Sequence, residues 1–200
     1  PRPPQPSTTP PAIAPTPTPR ARRWRVQTAV TAELQARGAM LAGGTLFGVG
    51  LSWGVGSWRV GAVASWCLRV GTALDAVYFS VDTLEHGPRV SLVVARSVGR
   101  LSLRGEVGGG VDVLSVRSAP LAGVSGNAVE VSGWTQPVVR AGFGASVALG
   151  AVVSLVLGAS VELDPRGTRY VVATADDGRV VALEPWVLRP AVTLGLLADL

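Results

Sequence analysis

The sequence predicts an all-β protein, namely a closed antiparallel up-and-down transmembrane β-barrel of eight strands preceded by a disordered, proline-rich segment. Three observations support this prediction. Large apolar residues alternate with small or polar ones over most of residues 24–200, which is the period of a strand with two different faces. Turn residues separate these segments, and the links alternate between long and short. The chain is 48% hydrophobic, yet this apolar content forms no helical stripe.

The N-terminal segment differs in composition from the rest of the chain. Residues 1–23 contain nine of the 15 prolines and four of the 18 basic residues, with no acidic residue. Such a segment cannot bury a core, so we expect a disordered Pro/Arg-rich linker that reaches a periplasmic or cell-wall partner. It begins without Met or a signal pattern, and we expect another segment upstream. Most of the net charge of +5 belongs to this linker, so we predict no nucleic-acid partner.

The first three strands follow in order from Trp24. Even positions are apolar from Trp24 to Ala36, odd positions are large from Phe47 to Val55, and even positions are again mostly apolar from Trp58 to Leu68. Two uncharged runs, 38–58 and 141–161, are each about as long as a transmembrane helix. The first of them contains seven glycines, mostly at even spacings of two or four, which favours a strand.

The remaining strands show the same alternation. Four segments carry it clearly, at residues 101–113, 139–149, 153–163 and 188–200. The eighth strand must lie within 76–98, where Val90, Leu92 and Val94 alternate with Arg89 and Ser91. Each clear segment has about 11 to 14 residues, and about 9 to 11 suffice for a tilted strand to cross a bilayer.

The links between these strands predict two different rims. Three links are tight, at Gly56-Ser57, Gly99-Arg100 and Gly150-Ala151. Four are predicted to be long, at 38–44, 71–88, 115–136 and 165–185, the last extended by a hairpin at Asp176-Asp177-Gly178. Transmembrane barrels have short periplasmic turns and long outer loops, so this alternation favours a membrane barrel.

The small-residue face predicts the contents of the lumen. It consists of Gly, Ser and Ala with a few charged residues and no Lys, whereas a water-exposed face is dense in charge. A barrel of about eight strands has a lumen just filled by its own side chains. We therefore predict a polar lumen network, with Cys67 as a buried lumen thiol. The predicted network consists of Arg25, Glu33, Arg59, Arg69, Arg104, Glu106, Asp112, Arg140, Glu162 and Arg189. Trp24, Trp58 and Trp186 are the predicted interfacial aromatic residues.

From Trp24 to Leu200 the chain resembles the small eight-stranded bacterial outer-membrane barrels of the OmpA/OmpX type. The resemblance is carried by the strand pattern and by residues 192–200, which look like the terminal strand recognised by the barrel-assembly machinery. Family members usually end in Phe or Trp, whereas this chain ends in Leu200. The resemblance implies an outer-membrane location with both termini periplasmic, a bilayer and the assembly machinery as partners, and a role as envelope anchor or surface-loop scaffold. It transfers no catalytic motif, metal or cofactor.

Two alternative functions are also compatible with the sequence. Some small membrane barrels are lipid-modifying enzymes, and His86, predicted in the 71–88 loop beside Glu85, is the candidate general base for such an activity. A solvated loop histidine is the simpler interpretation, and the prediction is of no enzyme. The second alternative is a soluble lipocalin-like ligand-binding barrel, whose large apolar residues would line the lumen. A conducting lumen is a variant of the membrane prediction.

Overall fold

The computed structural model describes residues 24–73, 79–120, 129–166, 170–173, 179–183 and 185–200. Within these ranges there are ten strands: β1 (Trp24–Ala36), β2 (Met40–Val55), β3 (Trp58–Ala73), β4 (Phe79–Val98), β5 (Leu101–Pro120), β6 (Val129–Ala148), β7 (Val153–Leu163), β8 (Tyr170–Ala173), β9 (Arg179–Leu183) and β10 (Leu188–Asp199). None of the described segments is a helix with the length and apolar character needed to span a membrane.

Eight of these strands form one closed barrel in the order β1-β10-β7-β6-β5-β4-β3-β2. Each strand pairs antiparallel with its neighbours, and β1 closes the barrel against β10 from Gln27 opposite Asp199 to Gln35 opposite Ala191. Each barrel strand therefore has a paired neighbour on both sides, and β6 pairs with β7 from Val139 onward. β8 and β9 form a separate two-stranded sheet between β7 and β10. The predicted eight-stranded up-and-down barrel is confirmed. β8 and β9 pair antiparallel on either side of the predicted turn at residues 176–178, which itself lies outside the described residues.

The barrel strands are apolar on the outward face and polar on the inward face, which is the reverse of a water-soluble protein. Outward positions carry large apolar side chains that are about half exposed or more, such as Val90 at 60%, Leu92 at 62% and Phe143 at 73%. Inward positions carry buried charge, and Arg69 and Glu162 are at most 1% exposed. Soluble proteins almost never bury charged side chains while exposing a continuous apolar surface. The alternation in the sequence therefore places apolar residues outside and polar residues inside.

The tight turns lie where the sequence predicts them. β2–β3 and β4–β5 are two-residue hairpins, at Gly56-Ser57 and Gly99-Arg100, and the glycines have φ of 62° and 61°. Residues other than glycine disfavour a positive φ, which explains why glycine is the first residue of both turns. β6 and β7 are joined by residues 149–152. These three links define the turn rim of the barrel; the opposite end is the loop rim.

The predicted long link at 38–44 is wrong. β1 and β2 are joined at the loop rim by only three residues, Arg37–Ala39, and β2 begins at Met40. Met40 and Ala42 point inward and are 1% exposed, while Leu41 points outward. Gly43 and Gly44 resemble turn residues in the sequence, but both lie within β2 and continue its alternation of inward and outward positions. The strict alternation of long and short links is accordingly only partly correct.

The predicted loops at 71–88 and 115–136 are also too long. β3 ends at Ala73 and β4 begins at Phe79, while β5 runs to Pro120 and β6 begins at Val129. Strands of up to 20 residues replace the predicted 11 to 14. Polar residues make these segments look like loops, yet Thr83 and Glu85 are buried at inward positions. The short links that remain, at 74–78 and 121–128, lie outside the described residues, as does the linker at residues 1–23.

Adjacent glycines in β2 provide a test of this packing. A Cβ atom added to Gly44 would lie 2.1 Å from the carbonyl oxygen of Leu68 on β3, whereas one added to Gly43 would have no atom within 4 Å. We expect Gly44→Ala to lower the free energy of unfolding by about 1–3 kcal/mol, the usual cost of overpacking. Gly43→Ala is the matched control and should change it little. Urea titration of the refolded barrel measures both, and equal effects would contradict the strand pairing.

Candidate functional site

The polar lumen is the candidate site, and it has three levels. Nearest the loop rim is a small apolar cluster around Met40 and Val81, against which Ala39, Ala73 and Val116 pack. Below it lies a layer of buried charge, and below that a wider cavity reaches the turn rim. Each level is built mainly from inward positions of several strands, so the period-two alternation of the sequence positions most of its side chains.

The buried charge forms what we call the ionic core. It consists of four arginines and four carboxylates, Arg37, Arg69, Arg89, Arg140, Glu33, Glu85, Asp112 and Glu162. All eight side chains are at most 5% exposed, and their formal charges cancel. Because charges in a dry interior are costly unless they are paired, this balance is what allows the lumen to hold them.

Glu162, on β7, is at the centre of the ionic core. Its two carboxylate oxygens accept hydrogen bonds from both terminal nitrogens of Arg69, at 2.8 and 2.6 Å, and from Gln35 Nε2 at 2.9 Å. Arg140 Nη1 donates to the same carboxylate at 3.3 Å, and Arg89 Nε lies 3.4 Å from it. Three guanidinium groups from three strands therefore converge on one carboxylate.

The remaining carboxylates complete this arrangement. Glu33 on β1 pairs with Arg69 and Arg140, each at 2.5 Å. Asp112 on β5 accepts two hydrogen bonds from Arg89, at 2.7 and 2.9 Å. Glu85 on β4 accepts two hydrogen bonds from Arg37. Such two-point pairs fix side-chain geometry as well as charge, so the ionic core fills the lumen rigidly at this level.

The ten residues of the predicted lumen network all occupy inward positions, but the structure distributes them over several groups. Glu33, Arg69, Asp112, Arg140 and Glu162 are in the ionic core. Just below it, Arg104 pairs with Glu106 at 2.7 Å, and Glu106 also accepts a hydrogen bond from Arg140 at 3.1 Å. Arg189 pairs with Asp164 at 2.5 Å on the loop-rim side, and Arg25 pairs with Asp199 at 2.9 Å near the turn rim. Arg59 faces the cavity at the turn rim.

Five charged residues that were not predicted from the sequence belong with this network. Arg37, Glu85 and Arg89 are in the ionic core, and Asp164 and Asp199 form the two outlying pairs. The predicted loop at 71–88 placed Glu85 beside His86, outside the barrel wall. The period of two that is clear at Val90 and Leu92 extends back through Leu84, and this signal places Glu85 and Arg89 on the inward face.

His86 is not in a loop, and that prediction is wrong. It lies in β4 opposite Leu68 and Val113, and its ring stacks on that of Trp66 with centroids 5.9 Å apart. Both rings are on the outer surface, because even positions of β3 and β4 point outward. Glu85 points into the lumen, where Arg37 holds it. The neighbouring carboxylate is therefore on the opposite face of the sheet from the imidazole.

Other reactive groups are few in the part of the chain that the structure describes. Cys67 is fully buried at an inward position, which confirms the predicted lumen thiol. Within the described ranges, no group of three or more His, Cys, Asp or Glu side chains could hold a metal ion.

Two cavities occupy the lumen below the ionic core. The one at the turn rim has a volume of about 290 Å³, and a smaller one of about 80 Å³ lies above it. Val63 and Arg104 line both, and Arg89 and Arg140 of the ionic core line the smaller one. The open part of the lumen therefore extends from the turn rim only as far as the ionic core.

Aromatic and charged residues mark the edges of the outer apolar surface. The predicted aromatic residues Trp24, Trp58 and Trp186 are each about half exposed, and Trp24 packs edge-on against Trp53 at 4.4 Å. Arg96 lies over the ring of Trp58 at 5.4 Å near the turn rim. On the same outward row of β4, the next acidic residue is Asp82, which accepts a hydrogen bond from Thr72 at 3.1 Å.

The distance between these two charged residues can be compared with a bilayer. Fourteen residues separate Arg96 from Asp82 along β4. At about 3.3 Å per residue this is roughly 46 Å of strand, or roughly 33 Å of height at a tilt of about 45°. The hydrocarbon core of a bilayer is about 30 Å thick. The uncharged outer surface between them therefore has the height of a membrane interior.

Comparison with known proteins identifies the fold of this chain. No protein-family model matches the chain, and no curated protein matches it in sequence. Among solved structures, a major outer membrane protein from Thermus thermophilus matches with a TM-score of 0.66 at 13% identity, covering 90% of this chain and 100% of that one.

Two further solved structures match less closely. Neisserial surface protein A has a TM-score of 0.47 at 12% identity, over 90% of this chain and 98% of that one. Ail, the attachment invasion locus protein of Yersinia pestis, has a TM-score of 0.45 at 14% identity, over 88% and 97%. The match to the Thermus protein shows that this chain has the fold of a small outer-membrane β-barrel.

Proposed function

We propose that this chain is a non-enzymatic β-barrel of the bacterial outer membrane that acts as an envelope anchor or as a scaffold for surface loops. The observation that carries the proposal is the inverted distribution of polarity. Outward positions of all eight barrel strands expose large apolar side chains, while ten charged side chains are buried in the lumen, eight of them in the ionic core. In a bilayer that exposed surface meets lipid, and each strand of the closed barrel hydrogen-bonds to a neighbouring strand on both sides.

The inverted distribution also separates this proposal from a soluble ligand-binding barrel. A lipocalin-like barrel needs large apolar residues in its lumen and charged residues outside. Here the lumen between the rims contains the ionic core, and Phe47, Leu92, Phe143 and Leu157 are among the exposed outward residues. In water this surface would drive aggregation.

The closed lumen supports a structural role over a conducting one. The ionic core is neutral, tightly hydrogen-bonded and nearly inaccessible, and the apolar cluster around Met40 lies between it and the loop rim. An ion would have to displace paired charges to pass. We therefore propose a barrel that holds its loops and linker in place and does not act as a pore.

We propose one partner for the last barrel strand and another for the Pro-rich linker. β10, which includes most of residues 192–200, closes the barrel against β1 and is the segment we propose the assembly machinery recognises. Trp24 and Asp199 both lie at the turn rim, because the barrel has an even number of strands. We propose that this rim faces the periplasm and that the Pro-rich linker reaches a periplasmic or cell-wall partner there.

Labelling of single cysteines tests this orientation. In intact cells, a membrane-impermeant maleimide should label Ser125→Cys, in the link between β5 and β6, and should not label Ser7→Cys, in the linker. The native Cys67 is fully buried and should stay silent without further mutation.

Permeabilised cells provide the control, since both introduced cysteines should then react. Labelling of Ser7→Cys but not Ser125→Cys in intact cells would reverse the proposed orientation. Labelling of neither in intact or permeabilised cells would argue against exposed loops and linker altogether.

A further inference from the structure

The cavity at the turn rim has more positive charge than its own carboxylates can balance. Residues of two turns line it, including Gly99, Arg100 and Gly150, so it reaches the rim. Four arginines and one acidic residue line its wall: Arg25, Arg59, Arg100, Arg104 and Asp199. Its volume of about 290 Å³ is at the lower end of the range for small-molecule sites.

The carboxylates near this cavity are already engaged. Asp199 accepts from Arg25 at 2.9 Å through one oxygen and from Gln27 at 2.6 Å through the other. Glu106, just above, accepts from Arg104 through one oxygen and from Arg140 through the other. Each oxygen of these two carboxylates therefore already accepts a hydrogen bond.

Two guanidinium groups at the cavity form no ion pair with the part of the chain that the structure describes. The side chains of Arg59 and Arg100 make no hydrogen bond or ion pair with any residue that the structure describes. Arg59 lies on the inward face of β3, one residue after Trp58 begins the strand, and it is held among small residues such as Gly61 and Ser52. Small neighbours leave space in front of the guanidinium for a ligand.

The chain's own linker does not fit as the occupant. It joins the barrel at Trp24 on this same rim, and residues 1–23 contain four arginines and no acidic residue. In the sequence, Arg22 and Arg23 immediately precede the first strand. An anion from elsewhere is the chemical complement of this end of the barrel.

We propose that this cavity is a binding site for a phosphate-bearing ligand, with Arg59 as the residue that holds the phosphate and Arg25, Arg100 and Arg104 as its supporting charges. Guanidinium groups bind phosphate through paired hydrogen bonds, and a group with two or more negative charges can engage several of them at once. A singly charged carboxylate can engage fewer. The phosphate can belong to a soluble molecule or to the headgroup of a phospholipid beside the rim.

Calorimetric titration of the full chain with inorganic pyrophosphate tests the site. The protein is refolded into nanodiscs, which leave both rims accessible, made either of phosphatidylcholine or of phosphatidylcholine with phosphatidylglycerol. We expect saturable binding in phosphatidylcholine that Arg59→Gln weakens about tenfold or more, as expected for loss of a charged hydrogen bond. Acetate should bind more weakly than pyrophosphate.

The matched control is Arg96→Gln, which removes an arginine from the outer surface near the same rim and should leave binding unchanged. If the anionic nanodiscs abolish pyrophosphate binding, the phosphate comes from a lipid headgroup; if binding persists, the ligand is soluble. Three results would overturn the proposal: no saturable binding in either nanodisc, equal binding by wild type and Arg59→Gln, or equal loss with Arg96→Gln. Arg59→Gln removes a guanidinium group that makes no ion pair with the described residues, so we expect the variant to fold. Heat-modifiable gel migration verifies its folding.

Discussion

Replacing Glu162 with Ala is expected to lower the free energy of unfolding by about 3–5 kcal/mol, the usual cost of breaking a buried ion pair by removing one partner. The reason is geometric. Arg69 loses two hydrogen bonds of 2.8 and 2.6 Å, Arg140 loses one of 3.3 Å, and Arg89 loses a carboxylate oxygen 3.4 Å away. Glu33, Asp112 and Glu106 remain as partners, but the four arginines of the ionic core then face only three of its carboxylates in a lumen that water barely reaches.

Reversible urea unfolding in lipid vesicles, followed by gel migration without boiling, measures this loss. The matched control is Asp199→Ala, which removes another lumen carboxylate in an ion pair. The side chains of the Arg25–Asp199 pair are 37% and 24% exposed, so the expected loss there is about 1 kcal/mol or less. Equal losses at the two positions would show that the ionic core is hydrated and that the lumen is open at this level.

Val90→Arg is expected to lower the free energy of unfolding in a bilayer by about 2–4 kcal/mol, the cost of arginine on the lipid face near the midplane. Val90 is 60% exposed on β4 and lies about midway between Arg96 and Asp82, the charged residues on its outward row. In water the same substitution on an exposed strand position would cost little.

Val98→Arg is the control for this substitution. Val98 is 64% exposed on the outward row of the same strand, but it lies at the end of β4 beside the turn rim. The expected cost there is about 0–1 kcal/mol. Equal losses of unfolding free energy for Val90→Arg and Val98→Arg would mean that the cost of arginine does not depend on depth in the membrane. This result would contradict the assignment of the outer surface to lipid.

The barrel could be predicted from the sequence because one physical rule produces both the pattern and the fold. A strand between lipid and a narrow lumen must alternate large apolar with small or polar residues, and Phe47 to Val55 or Leu101 to Val113 show this directly. The tight turns were also readable, since a two-residue hairpin favours glycine at positive φ, as at Gly56 and Gly99.

The strand ends could not be predicted, because the rule weakens where the strands approach the loop rim. At Gly43 and Gly44 both faces are small, so no alternation is visible. Between Thr83 and Arg89 the inward residues include Glu85 and Arg89 and the outward ones include His86 and Pro88, so neither face looks clearly apolar. The pairing partners of a charge are also beyond the sequence: Glu162 and Arg69 are 93 residues apart and meet only across the lumen.

The most direct test of the central claim, that the apolar outer surface meets lipid, is tryptophan fluorescence in vesicles whose acyl chains are brominated. None of the six tryptophans is buried in the lumen, and Trp24, Trp58 and Trp66 lie on outward positions of β1 and β3. We predict that brominated lipid strongly quenches the emission of the folded protein relative to ordinary lipid. Emission that bromine leaves unchanged, from a protein that folds as a monomer in buffer without detergent, would contradict it.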